Sequence, residues 1–235
     1  MINEVRNTVM AVLNKDNNGY VTPEEFNLFA KQAQLEVFED YFFRYRNAVT
    51  MMNSRTSNSG YADLLKQTGE VIDSFSESAT LVLDSGSSFK LPANYYSINQ
   101  VIYNGKEVEP VTQYKILNLL SSNLTAPTTG YPAYIQRDRA ADGSDLITVY
   151  PTTINAGVSA FYVRYPLDPK WTYTQIGGNP LFNQSAVDYQ DFELPLSNFN
   201  DIVLRILQYA GVNIREYEVA QFAKQEEMMN KQQGE

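Results

Sequence analysis

The chain has 235 residues, 27 acidic against 18 basic, a net charge of −9, and neither histidine nor cysteine. Without imidazole or thiolate there is no Ser-His-Asp or Cys-His nucleophile system, no zinc site built on those ligands, no redox dithiol and no disulfide. The acidity argues against a protein that works by neutralising nucleic-acid phosphates, and the 43% hydrophobic share is enough to fill a core at this length.

The first residues, Met1-Ile2-Asn3-Glu4, are not a basic stretch followed by an apolar run, so no signal peptide is expected. No apolar run is long enough to span a bilayer. Residues 2–13 place Ile2, Val5, Val9 and Val12/Leu13 at spacings of three and four, one face of a short amphipathic helix. Thr22-Pro23-Glu24-Glu25 combines a capping Thr, a Pro at the first helical position and a Glu three residues after the cap, which starts a second helix running to about Val49. That helix carries Phe26, Phe29, Val37 and Tyr41 with a second row of Leu28, Leu35 and Phe42, a surface wide enough to need cover on more than one side.

Residues 51–60 read as a linker rich in Ser and Asn, after which short runs separated by turn residues point to strands. Asn104-Gly105 between the alternating runs 97–103 and 106–109 predicts a hairpin. Further strands are expected at 80–83, 133–137, 146–150 and 158–165, with one helical insert at 114–120. This is the texture of an antiparallel meander. After Trp171 an irregular stretch follows, then a helix at 201–210 that Gly211 is expected to end and another run from 214 to about 231. The architecture expected is α+β, with N- and C-terminal helices forming a helical bundle and an antiparallel β lobe inserted between them. Its parts are residues 1–59, 60–175 and 176–235.

Residues 14–25 fit the register of an EF-hand calcium loop. Asn14, Asp16 and Asn18 would give side-chain oxygens, Tyr20 its backbone carbonyl and Glu25 a two-oxygen carboxylate, making Ca2+ the one candidate cofactor. Only Asp16 and Glu25 bring charge, and no second loop pairs with this one. Asp16-Asn17-Asn18-Gly19 as a tight turn and residues 22–25 as a capping box account for the same residues without metal. Asp138, Asp142, Asp145 and Asp168 are the acids from which a catalytic pair could be drawn, but they sit beside turn residues, where solvated carboxylates are the default, and no enzyme is expected.

Several blocks carry a resemblance. They are residues 19–34, Tyr131-Pro132-Ala133-Tyr134, residues 163–171, Asp191-Phe192-Glu193-Leu194-Pro195 leading into Ile206-Leu207-Gln208-Tyr209-Ala210-Gly211, and Arg215-Glu216 with Val219-Ala220-Gln221-Phe222-Ala223. In this order the chain resembles structural proteins of crAss-like short-tailed bacteriophages, of the class that forms the ring between portal and tail. The resemblance implies a head-to-tail connector or tail adaptor located in the virion and assembled in the host cytoplasm. It implies a homo-oligomeric ring of about twelve copies joined by a heterologous interface, bound to the portal and to other tail or neck proteins, with DNA passing through the lumen and no membrane contact. No catalytic residues come with it. Residues 1–59 hold 6 basic and 7 acidic residues, 60–175 hold 8 and 11, and 176–235 hold 4 and 9, so the acidity gathers toward the C-terminal end. An acidic lumen that keeps the duplex from adhering is the expectation. The competing reading is a calcium-dependent binding module for a protein or glycan partner, built on the 14–25 loop.

Overall fold

The structure, a computed structural model, describes residues 1–14, 21–53 and 61–214. In chain order, three helices come first, α1 (Ile2–Asn14), α2 (Pro23–Asn53) and α3 (Tyr61–Asp73). Strands β1 (Ser76–Thr80), β2 (Val82–Ser85), β3 (Ser88–Lys90), β4 (Tyr95–Tyr103) and β5 (Lys106–Pro110) follow, then helix α4 (Gln113–Leu120). After it lie β6 (Ala133–Arg139), β7 (Asp145–Tyr150), β8 (Val158–Arg164), β9 (Tyr173–Ile176), β10 (Asn179–Phe182) and helix α5 (Phe199–Ile214). The chain divides into two units, Met1–Val71 with Pro166–Glu235, and Ile72–Tyr165.

In the first unit the expected periodicities set the core. α1 buries Ile2, Val5, Val9 and Leu13, and α2 buries Phe26, Ala30, Ala33, Val37 and Phe38. α2 starts as a capping box: the Thr22 Oγ accepts from the Glu25 N–H at 3.3 Å, and the Glu25 carboxylate accepts from the Thr22 N–H at 2.9 Å and its hydroxyl at 2.8 Å. α3 went unread in the sequence, although Leu65, Thr68 and Ile72 repeat at helical spacing. Its Gly69 leaves room for the Tyr45 ring of α2, 3.8 Å from where a Cβ would stand. α5 does not stop at Gly211 but runs through it to Ile214. Gly costs about 1 kcal/mol in a helix interior, and here it is buried beside buried Ala210, where burial of the helix outweighs that cost.

The second unit holds an eight-stranded sheet in the order β1-β8-β4-β5-β6-β7-β3-β2. The strands at its two ends, β1 and β2, are separated in sequence by Leu81 alone. At about 3.3 Å per residue the sheet's ends therefore meet, and the sheet closes on itself. Leu81 is buried and its N–H donates to the Val158 carbonyl at 2.9 Å, carrying the β1–β8 ladder up to the junction. The interior is filled: Leu81, Phe89, Val101, Val108, Ile147, Val149 and Val158 belong to one buried cluster. β8 shows the two-residue alternation, with Val158, Ala160 and Tyr162 inside and Phe161 outside. The predicted Asn104-Gly105 turn joins β4 to β5, both residues at positive φ, +49° and +76°.

The fold class differs from the α+β expectation. The eight-stranded sheet dominates, and the helices do not form a terminal bundle flanking a small lobe. Nor is the sheet an antiparallel meander, because β5 and β6 run parallel, Glu109 beside Ala133, with α4 as the crossover between them. α4 packs through Ile116 and Leu119 onto Val111, Ala133 and Ile135, which is why a helical insert appears in a run of strands. The first unit is likewise more than helices, since Trp171, Thr172, Phe192 and Leu194 of the supposedly irregular stretch are buried.

Candidate functional site

The extended backbone around Trp171 is held by several side-chain hydrogen bonds. Asn27, on α2, donates from Nδ2 to the Trp171 carbonyl at 3.2 Å, and its Oδ1 accepts from the Trp171 N–H at 2.8 Å. One turn pair further along α2, Gln34 donates to the Leu167 carbonyl at 2.7 Å and accepts from the Glu193 N–H at 3.0 Å. The two amides sit seven residues apart, two helical turns, so they lie on one stripe of α2 and bond this extended chain as a neighbouring strand would, beside its antiparallel bridge of Lys170 with Gln190. Lys31, on the exposed side, reaches Asp168 at 2.6 Å.

Trp171 itself is buried. Its Nε1 donates to Asn3 Oδ1 at 3.1 Å, and the Arg6 guanidinium lies 3.9 Å from its ring centroid. Tyr173 and Phe182 stack on it at 5.7 and 5.9 Å, so the β9–β10 hairpin is rooted on the indole. Asp191 lies nearby in sequence to the buried Phe192 and accepts from the Met1 amino group at 3.0 Å and from the Ile2 and Phe192 N–H groups at 2.8 Å each. Burial pushes its carboxyl up, but these donors prevail and hold it below the ordinary Asp range.

α2 and α5 are joined by Arg205, which is mostly buried and bridges Glu36, at 2.5 Å, and Asp40. Tyr209 donates to Glu36 and stacks on Phe29 at 6.0 Å, while Tyr41 donates to Asn198 Oδ1 at 2.7 Å. Burial of a guanidinium is tolerated when two carboxylates meet its planar donors.

Three of the four acids singled out in the sequence are tied to cations, and the side chain of the fourth, Asp138, lies outside what the structure describes. Asp142 is held well below the usual carboxylate range by the Lys90 ammonium at 2.6 Å and by the Ser144 N–H. Asp145 pairs with Arg139 at 3.1 Å, and Asp168 with Lys31. A carboxylate held as low as that of Asp142 is not a general acid. Of the calcium-loop residues, Asn14 is the exposed last residue of α1 and Glu25 is the capping-box acceptor described above. Asp16, Asn18 and Tyr20 lie outside the described residues. Among the described residues no three Asp or Glu gather in a way that would hold a metal ion, and no helix is long and apolar enough to cross a membrane.

What the sequence reading missed is a set of exposed apolar side chains on regular structure. Tyr114 and Leu117 stand on the outer face of α4, Val82 and Leu83 on β2, and Ile176 and Leu181 on the β9–β10 hairpin. Gly177-Gly178 forms the turn of the β9–β10 hairpin, both residues at positive φ. No protein-family model matches the sequence, and no curated protein matches it either.

Proposed function

We propose that the chain is a virion structural protein, a head-to-tail connector or tail adaptor of a crAss-like short-tailed phage. Copies form a ring of about twelve between portal and tail through a heterologous interface, and DNA passes through the lumen. The work is geometric and needs no catalytic group. One observation supports the reading: three of the blocks in which the sequence resembles such proteins hold one another in the first unit. Asn27, Lys31 and Gln34 of the first block bond Trp171, Asp168 and Leu167 of the third, and Gln34 also bonds Glu193 of the fourth. These three blocks thus form one frame within the first unit.

The acidity of residues 176–235 supports a lumen that repels the duplex. Electron cryomicroscopy of purified virions tests the proposal. A ring of this chain between portal and tail, with an acidic lumen, is expected; absence of the chain from virions by peptide mass spectrometry overturns the function, and a basic lumen overturns the charge assignment.

A further inference from the structure

Two arginines of α2, Arg44 and Arg46, differ from the other cations of the chain. Among the described side chains, every other lysine and arginine is held by a carboxylate, a carbonyl or an aromatic ring. Arg44 and Arg46 are exposed and meet none of these among the described residues. Asp40 stands four residues before Arg44, the spacing of a helical ion pair, but Arg205 of α5 occupies its carboxylate. Between Asp40 and Asp63 the sequence holds three arginines and no acid, in a chain that carries −9 overall.

Residues 43–47 are all exposed, more than one full turn of α2. Successive residues turn by about 100°, so the buried Ala48 and Tyr45, whose ring takes the room left at Gly69 of α3, mark one side of the helix. Phe43, 58% exposed, projects from the opposite side. Arg46 lies about 60° to one side of it, with Asn47 about 40° and Arg44 about 100° to the other. An open aromatic ring is thus flanked by two guanidinium groups and a carboxamide, all four side chains unbonded among the described residues.

We propose that this face of α2 binds single-stranded nucleic acid, with a base stacked on Phe43 and phosphates on Arg44 and Arg46. Guanidinium donors match phosphate oxygens, an unpaired base offers its flat face to a ring, and the Asn47 carboxamide brings a donor and an acceptor to the base edge. An anionic membrane would engage the ring and the cations but leave the carboxamide in the middle of the face without use. An acidic peptide would engage the arginines but has nothing planar of its own to lay on Phe43. The contact is local, two phosphates rather than a track of them, because the rest of the chain is acidic. Glu39, exposed one turn before Phe43, closes the site on that side by repelling a further phosphate. None of this depends on the ring reading.

Fluorescence anisotropy of a labelled oligothymidylate of about 16 nucleotides, titrated with the full chain, tests the proposal. Binding is expected to weaken with salt at a log–log slope of about −1.4, from two phosphate contacts at about −0.7 each. Arg44→Gln and Arg46→Gln should each halve that slope, Phe43→Ala should weaken binding about tenfold at unchanged slope, and Glu39→Gln should tighten it. All four positions are exposed, and an unchanged unfolding midpoint by Trp171 fluorescence verifies that each variant is folded. No binding by the wild type, wild-type affinity in the Arg44→Gln/Arg46→Gln double variant, or equal affinity for a fully paired duplex overturns the proposal. Stronger binding to polyglutamate or to phosphatidylserine vesicles also overturns it, and assigns the face to an acidic protein or a lipid surface instead.

Discussion

Asn27 and Trp171 exchange two hydrogen bonds, side-chain amide to backbone peptide, at 2.8 and 3.2 Å. A helix residue thereby does for an extended segment what a neighbouring strand would do. Replacing Asn27 by Ala leaves a Trp171 N–H and carbonyl without partners where they are part-buried, at a cost of about 2 kcal/mol. Trp171 is the only tryptophan, so its fluorescence during denaturant unfolding reads this unit directly. Asn27→Ala should lower the midpoint at unchanged slope, and Asn27→Asp, which keeps the acceptor but loses the donor, should fall between the two.

Arg205 supplies the second test. Arg205→Met keeps much of the aliphatic stem but leaves Glu36 and Asp40 facing each other without their cation. Because Glu36 is 40% exposed, solvent takes part of the load, and the expected loss is about 2 kcal/mol. Arg205→Lys should recover only part of it, since one ammonium cannot meet both carboxylates as a guanidinium does. Thermal unfolding of the three proteins checks the order wild type, Lys, Met.

Asp191 sets a pH dependence. Its carboxyl titrates below the ordinary range in the folded chain, so its donors stabilise the fold above about pH 4, where the unfolded chain's Asp is ionised. That stability is lost as pH falls through the lowered folded value. Asp191→Asn should be less stable than wild type at pH 7, with the difference shrinking toward pH 3 in acid unfolding followed by Trp171 fluorescence.

The closure of the sheet at Leu81 predicts a large effect from a small change. Leu81→Ala removes a buried side chain at the one residue that joins both ends of the sheet, and should cost about 3 kcal/mol. Val82→Ala, one residue on but exposed, should cost little in the isolated chain. Amide exchange would show the loss in β1, β2 and β8 first.

Glu25 separates the two readings of the 14–25 loop. As the capping-box acceptor, it should lose about 1 kcal/mol on mutation to Ala, and much less to Gln, with or without millimolar calcium. A calcium-dependent rise in the melting temperature of wild type that Glu25→Gln abolishes would instead assign the carboxylate to the metal.

Elements whose information is local were legible in the sequence. The capping box at Thr22 and Glu25, the Asn104-Gly105 turn and the spacing of Ile2, Val5 and Val9 each depend on a few adjacent residues, and each stands where expected. What failed depends on distant partners. The parallel pairing of β5 with β6 follows from α4 packing on Ala133 and Ile135, which no periodicity within α4 reveals. The stretch after Trp171 was expected to be irregular, yet it holds the β9–β10 hairpin, and its Glu193 bonds Gln34 of α2, more than a hundred residues away. The exposed strands β2 and β9 were hidden for another reason: an edge lacks the polar alternation that marks a half-buried strand, so 80–83 was read as one strand where Leu81 divides two.

The sheet unit enters and leaves through neighbours. β1 and β8 are paired, Ser76 beside Val163, and the Arg164 N–H donates to the Phe75 carbonyl at 3.0 Å, a few residues from where the chain passes between units on either side. The two crossings are thus clasped together like the ends of a loop drawn through a ring. A segment with its ends pinned this closely behaves as a cassette: it could be exchanged for another domain of similar end spacing, or bridged by a short linker, without rerouting the frame that carries Asn27 and Trp171.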